Sequence, residues 1–251
     1  MKFKELHNQE NPLLIANVWD VSSAKVAEHL NFHAIGTSSA AMASLLGYKD
    51  GEDLAFEELE FLVKRIAKCT NLPLSVDLES GYSRNPEEIA KNIIALSNLG
   101  VEGINIEDSI VKDQRHLLNV DEFSKMLAEV KNLLNQEEVD VFVNVRTDTF
   151  LLGCSDSIEE SRRRIAIYEQ AGADGIFVPC IVQESDIRVI VDSTSLPVNV
   201  MCVPNLPNFD QLTELGVKRI SMGNFLYDYI YRQLEMKSNE IMNQKSFHAL
   251  F

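Results

Sequence analysis

Short apolar runs alternate along this chain with longer stretches in which apolar residues recur at helical spacing. Eight strand-like runs cover residues 13–18, 34–39, 73–79, 103–108, 141–148, 175–179, 197–202 and 219–223. Helical spacing fills the intervals, for example at residues 22–30, 56–69, 86–99, 120–134 and 158–171. Alternation of strand and helix predicts parallel strands, and eight such units in 251 residues predict an α/β fold, a (βα)8 TIM barrel.

Helical spacing continues beyond the eighth strand. Residues 225–236 predict one helix, and residues 238–251 predict a last one that carries several apolar side chains, such as Ile241, Phe247 and Phe251. These side chains need a surface for burial, and a neighbouring subunit or the chain's own barrel would each provide it. Because no linker rich in Pro, Gly or Ser divides the chain, we expect residues 1–251 to form a single barrel domain with a C-terminal helical extension at about 225–251.

The composition and net charge of the chain disfavour some classes of binding partner. The hydrophobic fraction of 45% agrees with a folded globular protein, and the net charge of -15 disfavours nucleic acid and anionic membranes, because both attract clustered Lys and Arg. The four cysteines are scattered without a CxxC pair, so neither a zinc site nor a disulfide framework is indicated. The sequence shows no signal-peptide core and no apolar run of about 18 residues, which predicts a soluble, cytoplasmic protein.

Three of the strand-like runs end in charged residues: LSVDLE at 74–79, GINIED at 103–108 and VNVRTD at 143–148. Asp77 and Glu79 are two residues apart, which would put both carboxylates on one face of an extended strand. An acid at a strand end is more often a helix cap or a solvated turn residue, but a parallel barrel gathers these three tips at one rim. Converging carboxylates need a cation, and oxygen ligands favour a hard divalent ion, so the pattern predicts a magnesium site.

Six motifs, in this order along the chain, resemble the isocitrate lyase and phosphoenolpyruvate mutase superfamily: NVWD at 17–20, IGTSSA at 35–40, VDLESGY at 76–82, IED at 106–108, NVRTD at 144–148 and GADGIFVP at 172–179. The resemblance covers residues from about 12 to 235. It implies a Mg²⁺ enzyme, with Mn²⁺ as a substitute ion, that makes or breaks a C–C or C–P bond next to a 2-oxo acid through a pyruvate enolate-like intermediate. It also implies a homodimer or homotetramer, often with the last helix exchanged between subunits.

The resemblance assigns metal-binding roles to acids of this chain. Asp77 matches the aspartate that ligates the metal directly, whereas Glu79 and Glu107 match acids that hold it directly or through water. Asp50, in a loop after the second strand, matches a further acid of the metal shell. Superfamily members usually carry aspartate at the position of Glu79, and the longer side chain could mean an added water between the carboxylate and the metal.

The resemblance also assigns residues to the substrate, a small anionic 2-oxo acid or phosphonate. Ser38, Ser39 and Ala40 match a segment that holds the carboxylate and oxo oxygens, and Asn144 belongs to a matching motif. Arg146 matches the arginine that holds the leaving carboxylate or phosphoryl group, for which its fork geometry is suited.

The loop at residues 109–118 departs from the superfamily pattern. The lyases carry a cysteine there as general acid or base, and this loop has none, which disfavours cleavage of isocitrate or methylisocitrate. The loop also lacks the Pro-Lys pattern of the mutases, so the chain is similar to short-loop members that are often named after carboxyvinyl-carboxyphosphonate phosphorylmutase. Lys112, Arg115 and His116 remain as candidates. His116 could transfer a proton and Arg115 could close over an anionic substrate, although a lone loop histidine is more often simply solvated.

Two other functions stay open at this point. A barrel of this type could bind a 2-oxo acid or an oxalate-like ligand for regulation, with little turnover. A different phosphate-binding barrel enzyme is disfavoured, because the loops after the seventh and eighth strands do not form a glycine-rich phosphate cradle.

Overall fold

The computed structural model describes residues 3–251 and forms a barrel of parallel strands. In chain order the strands are β1 (Leu13–Leu14), β2 (Ala16–Val18), β3 (Ile35–Thr37), β4 (Leu74–Asp77), β5 (Val101–Glu107), β6 (Ser109–Val111), β7 (Arg115–Leu117), β8 (Phe142–Arg146), β9 (Gly175–Phe177), β10 (Val198–Met201) and β11 (Arg219–Ser221). Nine of them form one sheet in the order β1-β11-β10-β9-β8-β5-β4-β3-β2. The remaining two, β6 and β7, pair with each other.

The first barrel strand is divided into two short pieces. β1 pairs with β11 and β2 pairs with β3, both in parallel. Between them, the backbone N–H of Ile15 donates to Ile220 O at 2.9 Å. The two ends of the sheet therefore meet at Ile15, and the eight strand positions that the sequence predicts are confirmed.

Helices follow the strands and cover the outside of the barrel. They are α1 (Val21–His29), α2 (Ser39–Leu46), α3 (Phe56–Ala67), α4 (Pro86–Asn98), α5 (Val120–Gln136), α6 (Ser157–Gln170), α7 (Glu184–Val191), α8 (Phe209–Glu214) and α9 (Phe225–Gln244). Local signals set their starts: the Asn85 side chain accepts the N–H of Glu87 at 2.9 Å, and Pro86 takes the first helical position, where no N–H is needed. Strand and helix order thus confirm the TIM-barrel prediction.

The main apolar core lies between the barrel wall and its helices. Strand side chains that point outward, such as Val76, Ile104 and Val145, are fully buried there against helix residues such as Leu59 and Leu127. The outward-facing positions of these strands are therefore apolar and alternate with the inward-facing ones. A rigid wall of this kind fixes the strand ends that carry the charged residues.

Polar groups occupy the inside of the barrel. The Asn144 side chain donates to Asn105 Oδ1 at 2.9 Å and to Asn199 Oδ1 at 3.2 Å. Arg219 is 2% exposed and donates to Ser75 Oγ at 3.3 Å, while its Nε and Nη1 have no hydrogen-bond partner within residues 3–251. Burial lowers the pKa of Arg219 to about 10. These groups support the site from below.

A short 3-10 helix (Phe3–Asn8) closes the amino-terminal end of the barrel. The Phe3 ring lies so close to Gly103 that a Cβ there would come within 2.5 Å of it. His7 stacks on Phe142 with ring centroids 4.3 Å apart, and both side chains are buried. The opposite, carboxyl-terminal end of the barrel is therefore the end that can admit a ligand.

Two sequence predictions need correction. The chain after β11 forms one continuous helix, α9, followed by a short 3-10 turn (Phe247–Leu250), where two helices were predicted. The helix does not break near residue 237 because no Gly or Pro interrupts it. The segment 109–118, treated as a loop, contains the antiparallel hairpin β6–β7, in which Ser109 pairs with Leu117 and Val111 with Arg115.

None of the helices between residues 3 and 251 has the length and apolar character that a membrane span requires. The division into a single domain and the exchange of the last helix stay predictions.

Candidate active site

The carboxyl-terminal ends of the barrel strands surround a cavity of about 420 Å³. Residues that the resemblance assigns to substrate and metal line it, among them Ser38, Ser39, Ala40, Asp50, Asp77 and Arg146. A parallel barrel presents functional groups at this end. The cavity is therefore the candidate active site.

Three acids lie close together at one side of the cavity, and of these Asp77 alone is among the described residues that line it. Asp77 ends β4 and Glu107 ends the neighbouring β5. Glu79 follows two residues after Asp77, but its φ of 52° lies in the left-handed region, so the strand has already ended. The prediction that Asp77 and Glu79 share one face of a strand is therefore wrong. A turn brings Glu79 to the group instead, with Glu79 O accepting the N–H of Glu107 at 2.8 Å.

Burial and nearby acids raise the pKa of Glu79 and of Glu107. Burial raises the pKa of Glu79 well above its ordinary value, and the charges of Glu107, Asp50 and Asp77 raise it further. Burial also raises the pKa of Glu107 to about 7, although the neighbouring Arg146 opposes the shift. Such crowding indicates a place where added positive charge would stabilise the ionised acids.

Arg146, the last residue of β8, lies beside these acids. Its Nε donates to Asp148 Oδ1 at 2.6 Å, and its Nη1 lies 3.0 Å from Glu107 Oε2. The guanidinium also lies over the Phe177 ring, 5.8 Å from its centroid. Asp148 was not among the predicted site residues, although it ends the third charged run and could have been predicted from that position.

The hairpin β6–β7 contributes a second arginine. Arg115 Nη1 donates to Glu107 Oε1 in a short contact and to Ser109 Oγ at 3.0 Å, and it lies 3.2 Å from Asp148 Oδ2. Arg115 Nη2 lies 3.0 Å from Asp50 Oδ2. Asp50 is the most exposed of these acids, with 48% of its side chain accessible. Arg115 thus binds the acids of the site in this structure.

The start of α2 forms the opposite wall. Ser38 is the N-cap of α2, and its Oγ accepts the N–H of Ala41 at 3.4 Å. Ser39 Oγ donates to Asp77 Oδ2 at 2.8 Å. The first N–H groups of a helix have no partner within the helix, so the amides of Ser39 and Ala40 are available to an anion at the cavity wall.

Other candidates lie away from the cavity. Asn144 is buried in the asparagine network beneath it and is not among the described residues that line it. His116 alternates with Arg115 on β7 and is exposed, with Nδ1 3.3 Å from Gln114 O. Lys112 is exposed near the tip of the hairpin. The structure does not bring His116 or Lys112 together with the acids.

A buried ion pair fixes the base of the hairpin, and the sequence analysis missed it. Asp108 Oδ2 accepts from Thr147 Oγ1 at 2.7 Å, from the Tyr168 hydroxyl at 2.8 Å and from Arg164 Nη1 at 3.0 Å. The backbone O of Asp108 accepts the N–H of Leu118 at 2.8 Å, just beyond β7. Arg164 and Tyr168 come from α6, whose interior gives no sequence signal of a charged contact with β5.

The acids of the site provide oxygen ligands of the kind that a hard divalent ion prefers. As the side chains stand, residues 3–251 contain no group of three His, Cys, Asp or Glu residues placed to hold a metal. Arg115 and Arg146 account for this, because their guanidinium groups lie among the acids. The charges nevertheless fit a dication: five carboxylates face two guanidinium groups, and the buried Glu107 Oε2 has only the ion pair with Arg146 Nη1 among the described residues. The carboxylates are those of Asp50, Asp77, Glu79, Glu107 and Asp148.

The chain is similar to several known proteins. The Phosphoenolpyruvate phosphomutase family matches residues 3–242. An uncharacterized protein of Mycobacterium tuberculosis (strain ATCC 25618 / H37Rv), Rv1998c, is 36% identical over 90% of this chain and 83% of its own length. An oxaloacetate decarboxylase of Ectopseudomonas mendocina (strain ymp) is 27% identical over 90% of this chain and 78% of its own length.

A solved structure extends the likeness to three dimensions. The crystal structure of a candidate phosphonomutase from Burkholderia cenocepacia J2315 superposes with a TM-score of 0.89 at 35% identity, over 94% of this chain and 97% of that one. The resemblance drawn from the six motifs is confirmed. The chain belongs to the phosphoenolpyruvate phosphomutase family and is an enzyme of a superfamily of lyases and mutases.

Proposed function

We propose that this protein is a Mg²⁺-dependent enzyme, with Mn²⁺ as a substitute ion, that makes or breaks a C–C or C–P bond next to a 2-oxo acid. The reaction passes through a pyruvate enolate-like intermediate. Enzymes of the superfamily generally depend on a divalent metal ion, which supports this proposal. The substrate class is a small anionic 2-oxo acid or phosphonate.

One observation carries the proposal: groups that bind anions and groups that repel them line the same cavity. The start of α2 and Arg146 suit a carboxylate, whereas Asp50 and Asp77 on the lining would repel it. The buried acids next to them, Glu79 and Glu107, add to this repulsion. A 2-oxo acid can lie between these walls only if a cation separates it from the acids. A divalent ion held by the acids satisfies both sides.

The acids would share the metal unequally. Asp77 would ligate it directly, and Glu79 and Glu107 would hold it directly or through water, with Asp50 farther out. The carboxylate of Asp77 is oriented by Ser39 Oγ. The backbone N–H of Asp77 donates to Thr37 Oγ1 at 2.8 Å. When bound there, the metal would supply the positive charge that stabilises the developing enolate.

The chain's own donors would orient the substrate. The N–H groups of Ser39 and Ala40 would hold the carboxylate that stays on pyruvate, because they point from a helix start and need no rearrangement. Arg146 would hold the leaving group in a fork, since Asp148 fixes the plane of its guanidinium. The cavity of about 420 Å³ agrees with a small ligand.

Among the candidate reactions, we propose decarboxylation of oxaloacetate as the first to test. The C3–C4 bond breaks, CO₂ leaves, and the electron pair stays on pyruvate as an enolate that takes a proton from solvent. This route needs no proton donor from the hairpin, which has no cysteine and presents His116 to solvent. The likeness to an oxaloacetate decarboxylase supports the choice.

The test measures pyruvate release from oxaloacetate, a 2-methylmalate-type acid and phosphonopyruvate, with Mg²⁺ or with EDTA, against protein-free blanks at the same Mg²⁺ concentration. We expect metal-dependent release from at least one substrate.

Asp77→Asn should lower kcat/KM by about 100-fold and weaken Mn²⁺ binding by roughly tenfold, because a direct ligand loses its charge. Asp210→Asn, an exposed acid on α8, is the matched control. Unchanged Mn²⁺ and oxalate affinities in Asp77→Asn would overturn the proposal.

The alternative is a barrel that binds a 2-oxo acid or an oxalate-like ligand for regulation, with little turnover. The occupation of the acid group by Arg115 favours it, because an arginine there leaves less room for a metal. Tight oxalate binding without turnover of any substrate in the panel would support this second function.

A further inference from the structure

The guanidinium of Arg115 lies where the acids of the site meet. Its two terminal nitrogens contact oxygens of Glu107, Asp148 and Asp50, and within residues 3–251 its one other polar contact is Ser109 Oγ. The side chain is only 14% exposed. The terminal nitrogens of Arg115 are thus occupied by acids of the site in this structure.

Two of these partners are acids that the proposed function assigns to the metal shell. Arg115 binds Glu107 Oε1, and the other oxygen of the same carboxylate, Oε2, lies 3.0 Å from Arg146 Nη1. Among the ion pairs of residues 3–251, Asp50 is joined to the group through Arg115. A guanidinium and a divalent ion cannot both approach the same carboxylate oxygens, because their charges repel and their volumes overlap.

The hairpin that carries Arg115 is fixed at its base and exposed at its tip. Its base is fixed by the N–H of Leu118 on Asp108 O, while the tip at Lys112 is exposed. The strands β6 and β7 have three residues each, and they pair with each other and not with the barrel. Few backbone hydrogen bonds therefore hold the hairpin over the site. Arg115 attaches the hairpin to Asp50 through an ion pair.

We propose that Arg115 is a tethered cation that competes with the divalent metal for Glu107 and Asp50. Metal binding displaces the guanidinium and releases the hairpin from the acids, and loss of the metal lets Arg115 return. The inference rests on the proposed function, since it assumes the same metal site. It adds that this chain carries its own competitor for that site.

The first test measures Mn²⁺ affinity directly, from the free Mn²⁺ signal in electron paramagnetic resonance. Arg115→Met removes the charge and keeps most of the side-chain length. We expect its Kd for Mn²⁺ to be lower than that of the unmodified protein by roughly tenfold or more, because the site loses a competing cation. Arg162→Met is the matched control, since Arg162 pairs with Glu159 on the outside of α6, and its Kd should not change.

The second test follows the hairpin in the unmodified protein and needs no variant. Trypsin cleavage after Lys112 should become about threefold faster or more when Mn²⁺ is added, because the hairpin leaves the acids and opens locally. Cleavage after Lys245, exposed at the end of α9, should keep its rate. An unchanged or slower cut after Lys112 in the Mn²⁺ complex would overturn the inference.

The two proposals fail in distinguishable ways. If the unmodified protein binds Mn²⁺ and releases pyruvate but Arg115→Met has an equal or higher Kd, the competition is wrong and the proposed function stands. If neither the unmodified protein nor Arg115→Met binds Mn²⁺, both are wrong. Mn²⁺ binding that is detectable only in Arg115→Met would support the competition most strongly.

Discussion

His7 is held at the foot of the barrel in a setting that favours its neutral ring. Burial lowers its pKa to about 3, and the nearby positive charge of Arg219 acts in the same direction. In the neutral form, Nδ1–H can donate to Phe3 O at 3.1 Å. The folded protein therefore binds this proton far less readily than the unfolded chain does.

This lowered pKa predicts a loss of stability in acid. Between pH 6.5 and about 3 the unfolded state binds the proton and the folded state does not, so the free energy of unfolding falls as the pH falls. Relative to His7→Gln, the unmodified protein should lose up to about 2 kcal/mol more between pH 6.5 and pH 5, as measured by urea denaturation. Parallel pH dependences in the two proteins would contradict this account.

Single residues of the site differ in how far the sequence reveals them. Asp77, Glu107 and Arg146 could be placed at the cavity because each ends a strand, and parallel strands end together. The backbone conformation of Glu79 could not be predicted, because a φ of 52° is uncommon for a non-glycine residue and depends on the turn around it. The partners of Arg115 depend on a tertiary contact that no local pattern records.

At the scale of elements, the loop after α2 and the hairpin β6–β7 fit against each other at Gly51. Gly51 has a φ of 101°, and a Cβ there would lie 2.4 Å from Val111 Cγ2. Gly47, four residues earlier, has a φ of 85° and has nothing within 4 Å of the same position. The two glycines share a backbone conformation that favours glycine and differ only in their neighbours.

This pair separates backbone strain from steric contact. Gly47→Ala should lower the free energy of unfolding by about 1 kcal/mol, which is the cost of the left-handed conformation. Gly51→Ala should cost about 1–3 kcal/mol more, because the added methyl group pushes Val111 and the hairpin outward. Urea denaturation of both variants measures the difference. Equal losses would show that the hairpin does not press on Gly51.

Elements with strong periodicity could be predicted closely, whereas short ones could not. The five helices given as examples end within two residues of their predicted bounds, because each presents a regular apolar face to the barrel. The hairpin β6–β7 has strands of three residues around the polar tip at 112–114, without an Asn-Gly or Asp-Gly turn that would indicate it.

At the scale of the whole molecule, α9 leaves a large apolar surface exposed. Ile230 is 48% exposed and Leu234 is 58% exposed, and both line an apolar groove of about 460 Å³ that runs beside Trp19 and α1. Patches of this kind mark sites of protein contact. A homodimer or homotetramer that covers α9, as the sequence led us to expect, stays our proposal.

The oligomer predicts an effect of charge on α9. Replacing both Ile230 and Leu234 by Glu should convert the protein to its monomeric mass in size-exclusion chromatography with light scattering, since buried unpaired charges are costly. Phe61→Glu is the control, because Phe61 is 62% exposed on α3, outside the groove, and the assembly should persist. A monomeric unmodified protein would rule the oligomer out.

The overall architecture could be predicted because eight repeats of strand and helix leave few alternatives in a chain of 251 residues. The sequence could not reveal that the two arginines neutralise part of the acid group. Arg115 and Arg146 lie 31 positions apart in the sequence and meet only once β5 and β8 have paired. Charge balance at the site is thus a property of the assembled barrel.

The closure of the barrel at Ile15, where the two ends of the sheet meet, has a consequence for synthesis of the protein. The first strand is shared between β3, which follows it closely, and β11, which lies more than 200 residues away in the chain. A nascent chain that has not yet reached Arg219 leaves β1 and β10 without their neighbour, and the barrel stays open along that line. Ribosome-bound chains of increasing length should therefore gain protection from proteolysis abruptly, once β11 has emerged.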